Sequence, residues 1–116
     1  MNVLGENLLE IGKTLQMHYA QLFEQTTAVK TYSLATEARK TALVPVGGWT
    51  GKNADERNAD RDRTFAEDNI LINLQTRLRK TEELVLEIQA KMDGVMAVRR
   101  SLEWVIRLME ATNAAN

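Results

Sequence analysis

Between residues 71 and 109, apolar side chains recur in alternating steps of three and four. Leu71, Leu74, Leu78, Val85, Ile88, Met92, Val95, Leu102, Ile106 and Met109 fill ten of twelve seam positions, and Thr81 and Arg99 fill the other two. An α-helix returns to one face every 3.6 residues, so a 3.5-residue repeat kept for more than five heptads predicts a long helix packed lengthwise on other helices. A second seam runs through Leu4, Leu8, Ile11, Leu15, His18, Leu22, Gln25, Val29 and Tyr32. It predicts a first helix over residues 3–41, with Gly5, Gly12 and the β-branched Thr26, Thr27, Val29 and Thr31 lowering its intrinsic helicity.

The two seams are separated by the one Gly/Pro-rich stretch, PVGGWTGK at 45–52. Pro45 disfavours helical geometry at Val44, which ends the first helix. Two capping boxes follow, Asn53 with Glu56 and Thr64 with Glu67; in each, the first side chain accepts the N–H three residues on and the Glu reaches back to the capping residue's own N–H. The expected layout is a linker and short polar helix over 42–63, a long helix over 65–111 and a frayed tail over 112–116, all within one domain spanning 1–116. A single helix from Ala54 onward is the other parse. Asp93-Gly94 is a turn-forming pair. The step from Met92 to Val95 nevertheless keeps the heptad phase, so the helix is expected to run through it.

The width of the apolar stripe sets the number of neighbours. Directly before the first residue of each heptad of the long helix stand Ile70, Arg77, Leu84, Lys91, Val98 and Val105, four of the six apolar. Leu9, Tyr19 and Phe23 likewise fall off the main seam of the first helix. A two-helix contact needs two apolar positions in seven, and a third calls for a second neighbour. The expected fold is all-α, an antiparallel hairpin of two long helices joined by a short helix, dimerising into a four-helix, coiled-coil-like bundle.

Composition narrows the function. A chain of 116 residues buries a limited share of its surface and gains from oligomerisation. With 15 basic and 16 acidic residues the net charge is −1, which gives no support to a protein devoted to gripping phosphates. There is no cysteine for a disulfide, thiolate site or thiol nucleophile. No segment has the length or hydropathy of a membrane span or signal peptide, and a cytoplasmic protein is expected.

Candidate chemistry is sparse. His18 is the one histidine and lacks the Glu three residues before it that carboxylate-bridged metal sites in bundles use, since position 15 is Leu. It is expected to be a hydrogen-bonded core or interface residue. With Gln25, Thr81 and Arg99 it belongs to the polar seam residues that fix register and oligomeric state. Arg99 is expected to reach Glu6 or Glu10 on an antiparallel partner. Lys52, Arg57, Arg61 and Arg63 are interleaved with Asp55, Glu56, Asp60, Asp62, Glu67 and Asp68, a pattern that reads as a solvated, salt-bridged surface. Trp49, in the Gly-rich link, either tucks over the end of its own bundle or meets a partner, and Trp104 marks a lateral interface. The partner-binding candidates are thus Trp49, Lys52, Arg57 and Trp104. No catalytic set, cofactor loop or metal site can be assembled, so a non-enzymatic module is expected. Its expected partners are a further copy, a dimer being favoured, and an unidentified protein; nucleic acid is possible but unsupported by the net charge, and no membrane is expected.

Two resemblances extend this reading. Trp49-Thr50-Gly51 between two long helices resembles the Trp-x-Gly helical hairpins of type VII secretion, although both tyrosines, Tyr19 and Tyr32, lie in the first helix, far from the C-terminal position of that family's export signal. Gly51-Lys52-Asn53-Ala54-Asp55-Glu56-Arg57 resembles the Gly-Lys-Asn-Ala-x-x-Arg segment of small, largely uncharacterised phage and prophage helical proteins, in which it precedes a long charged helix. That similarity spans 41–110 loosely. It implies a mobile-element protein that acts by binding. The alternative readings are an accessory nucleic-acid-binding protein of phage replication or recombination and a type VII-secreted Trp-x-Gly hairpin.

Overall fold

The computed structural model describes residues 3–115 and contains three helices among them: α1 (Val3–Ala42), α2 (Ala54–Glu67) and α3 (Asn69–Ala115). The long helices α1 and α3 pack against each other as a hairpin. Leu4, at the start of α1, shares a shallow groove with Ile106 and Met109 near the end of α3. Arg39, near the end of α1, meets Asp68 just before α3. The chain forms two compact units, one from residues up to Glu24 together with those from Leu84 on, the other Gln25–Glu83.

In the first unit the seam residues Leu15, His18, Ile88 and Met92 are buried. Leu4, Leu8, Ile11, Leu22, Val85, Val95, Leu102 and Ile106 are half-buried. α3 runs unbroken through Asp93-Gly94, as the heptad phase requires. It also continues over 112–115, where a frayed tail is expected, with the Thr112 hydroxyl donating to the Leu108 carbonyl at 2.9 Å. Asn116 lies outside the described residues.

The second unit is centred on Leu71, which is fully buried, with Thr36 and Thr81 also buried. The threonine-rich part of α1 is helical throughout, and three of its hydroxyls turn back to the carbonyl one turn before. Thr31, Thr36 and Thr41 donate to the carbonyls of Thr27, Tyr32 and Glu37 at 3.0, 2.7 and 3.0 Å. After α1, a turn closes by the Gly48 N–H donating to the Pro45 carbonyl at 3.0 Å, with Gly47 at φ +90° in its third place.

The boundaries around α2 differ from those expected. α2 extends to Glu67, and α3 begins at Asn69 where a start at 65 is expected. The second capping box is not used: the Thr64 hydroxyl donates to the Asp60 carbonyl at 2.9 Å, inside α2. The break falls at Asp68, whose carboxylate accepts the Leu71 N–H at 2.8 Å and so caps α3. A charged acceptor held by Arg39 outcompetes a threonine hydroxyl that already has a partner one turn back.

Candidate functional site

Two features are built well enough to carry function: the link with its corner in the second unit, and the exposed flank of α3. The link is organised by Asn53, which has an extended backbone at φ −138° and whose side-chain oxygen accepts the Glu56 N–H at 2.9 Å. The Glu56 carboxylate accepts the Lys52 N–H at 2.7 Å, one residue before the N–H that a capping box uses. Arg57 donates to the Gly51 carbonyl at 3.5 Å. Asp60 ties the far side of the link to α2, accepting the Thr50 N–H at 2.9 Å and an Arg63 guanidinium N–H at 2.6 Å.

Gly51 lies directly against this turn, at φ +154°. A Cβ there would come within 2.7 Å of both the Arg57 nitrogen and the Glu56 Cβ, so the close approach requires glycine. Trp49 is half-buried, its ring meeting Phe65 edge to face at a centroid distance of 5.6 Å and an angle of 86°. It is therefore tucked against α2. Lys52 and Arg57 are exposed on the rim.

The corner is an ion pair. Arg39 Nε and Nη2 donate to Asp68 Oδ2 and Oδ1 at 2.9 and 2.6 Å, a bidentate fork. The hydrogen bonds from Arg39 hold the Asp68 carboxyl below its usual range; partial burial opposes this and the Leu71 N–H adds to it. The same hydrogen bonds raise Arg39. Neither residue stands out when the chain is read for motifs. The signal was present nonetheless: continuing the first seam past Tyr32 in the same steps reaches Thr36, Arg39 and Leu43, and Asp68 stands three residues before Leu71, the spacing of an N-cap.

The seam polar residues meet different fates. Thr81 is buried, and its hydroxyl donates to the Arg77 carbonyl of its own helix at 2.7 Å. Gln25 is half-buried. His18 is buried, but its Nδ1 has no hydrogen-bond partner among the described residues, against the expectation of a hydrogen-bonded histidine. Arg99 is exposed and donates to Glu103 on its own helix at 3.0 Å. A partner four residues along the same face is reached without crossing to another helix.

The flank of α3 is open. Ile70, Leu84, Val98 and Val105 are 55, 43, 54 and 42% exposed, and Trp104 and Leu108 are exposed near them in sequence. The described residues include no group of three or more His, Asp or Glu side chains placed to hold a metal ion. No helix is long and apolar enough to cross a membrane. No protein-family model, curated protein or solved structure matches this chain.

Proposed function

We propose that this protein is a non-enzymatic structural module that works by self-association, its helical hairpins assembling into a larger bundle that binds a further protein. The observation that carries this reading is the open stripe of Ile70, Leu84, Val98 and Val105 beside a thin core, in which Leu15, Leu71, Ile88 and Met92 are the buried apolar side chains among the described residues.

Trp49 supports the link's own fold through Phe65, so the recognition surface is assigned to the helix flanks, with Lys52, Arg57 and Trp104 accessible to a second protein. The likeness of the 51–57 segment to phage and prophage proteins is in keeping with a mobile-element assembly protein. Sedimentation equilibrium tests the reading. A mass of at least twice 13.1 kDa at micromolar concentration is expected, and a monomer there overturns it.

A further inference from the structure

α3 carries a second seam, on the face away from its first. In steps of four and three, Ala90, Gly94, Ala97, Ser101, Trp104, Leu108 and Ala111 form an uncharged run, and every one of them is exposed. The buried Ile88 and Met92 belong to the first seam. Continued backwards, the same steps reach Glu87, Glu83 and Lys80, so the run has a defined start. Its period is that of a helix packed lengthwise on another helix. Gly94 lies inside it, although glycine weakens a helix relative to alanine and a Cβ built there would meet nothing within 4 Å.

The residues bordering this seam carry its charge. On one border stand Leu86, Asp93, Arg100 and Arg107, on the other Leu84, Lys91, Val98 and Val105. Asp93 and Arg100 are exposed. No charged residue stands three or four places from Asp93 on its own helix, and the one acid so placed from Arg100, Glu103, is engaged by Arg99. When two identical helices pack antiparallel through a heptad seam, each border faces the same border of the other copy. Asp93 of each chain can then meet Arg100 of the other, and the contact is made twice.

We propose that two copies of the first unit pair through this seam, α3 antiparallel to the partner's α3 about a two-fold axis at 95–96, with Asp93 of each copy against the partner's Arg100. The inference rests on the self-association proposed above and gives it a surface and a register. Gly94 meets the partner's Ala97 and Ala90 meets the partner's Ser101, small on small, so that the helix axes approach to about 8 Å. Trp104 lies over the partner's Leu86 and the stem of the partner's Glu87, so the second protein to which it is open is a second copy. On the other border Leu84 meets the partner's Val105, and Lys91 the partner's Val98, which covers flank residues that the single chain leaves open. Sliding by one heptad sets Arg100 against Arg100 in one direction and Asp93 against Asp93 in the other. A parallel pairing sets both against valines. Charge therefore selects the antiparallel pair and its register.

The chain has no cysteine, so single introduced thiols report the pairing. Ala90→Cys and Ser101→Cys chains, mixed and then oxidised, are expected to give a linked pair holding one of each, because a disulfide forms where Cα atoms come within about 7 Å. Either chain oxidised alone is expected to stay unlinked, its two thiols lying roughly 16 Å apart along the axis. In sedimentation, Asp93→Arg and Arg100→Asp are each expected to weaken dimerisation at least about tenfold. An equimolar mixture of the two is expected to dimerise like wild type, because one chain then presents two arginines to two aspartates of the other. Helicity by circular dichroism is expected to be unchanged throughout. A wild-type dimer that gives no mixed cross-link, or whose Asp93→Arg variant is rescued by Arg107→Asp instead of Arg100→Asp, overturns this pairing and leaves self-association standing. A monomeric wild type overturns both.

Discussion

Arg39 and Asp68 are joined by a bidentate ion pair across 29 residues of sequence, and the Asp68 oxygen that accepts Arg39 Nε also accepts the N–H of Leu71. One carboxylate thus ends α2, caps α3 and anchors both to the last turns of α1. Leu71, the most buried residue of the described core, begins its helix on this cap.

The pair makes stability depend on acid. Asp68 is held below the ordinary carboxylate pKa, chiefly by hydrogen bonds from Arg39, so the folded state binds its proton less readily than the unfolded chain. Its stabilisation is fully present above the unfolded pKa of about 3.9 and is lost as pH falls through the lowered folded value. The melting temperature of wild type is expected to drop below that pH more steeply than that of Asp68→Asn, which starts lower at neutral pH. Thermal melts by circular dichroism from neutral pH downward check this, and parallel curves for the two proteins contradict it.

Gly51→Ala should destabilise the link. The new methyl would lie 2.7 Å from the Arg57 nitrogen, a backbone atom that cannot swing aside, and φ +154° is unfavourable for alanine. A loss of about 1–3 kcal/mol is expected, measured by urea unfolding. Wild-type stability in the variant would mean that the turn relaxes freely.

Phe65→Leu removes the ring on which Trp49 rests. In a Trp104→Phe background, which leaves Trp49 as the one indole, its emission should shift to the red and stability fall by roughly 1 kcal/mol. An unshifted spectrum would show that the edge-to-face contact is not what shields Trp49.

His18→Leu is expected to stabilise the protein. The imidazole is buried with Nδ1 unpartnered, and an unsatisfied buried polar atom costs about 1–3 kcal/mol. Leucine fits the seam pattern at that position. A raised denaturation midpoint with an unchanged slope bears this out, whereas a fall would mean that the histidine gains more than it costs.

Much of this fold is legible without coordinates, and so is the flank on which its proposed assembly depends. The steps of three and four pick out Leu15, His18, Leu71, Thr81, Ile88 and Met92, all buried in the structure. The stripe at Ile70, Leu84, Val98 and Val105 is off the seam by count and open in space. A helical repeat is a local property, carried by the spacing of side chains along one chain segment, and for that reason it survives in the sequence. The same holds for α3 running through Asp93-Gly94, which the unbroken phase requires.

The corner at Asp68 is of another kind. Thr64 and Asp68 are both competent N-caps, each three residues before a plausible first turn, and nothing within 64–71 ranks them. The choice between them depends on Arg39, delivered from the far end of α1 by hairpin closure, and on a carboxylate that gains two charged hydrogen bonds only once that closure has occurred. Trp49 was undecided in the same way, because its position depends on where Phe65 lies after the link has turned at Gly51. Sequence by itself determined which faces of the helices are apolar, since that is written in their period. Tertiary structure alone decided that the second break falls at Asp68 and which polar groups meet, since those contacts join residues that no local pattern connects.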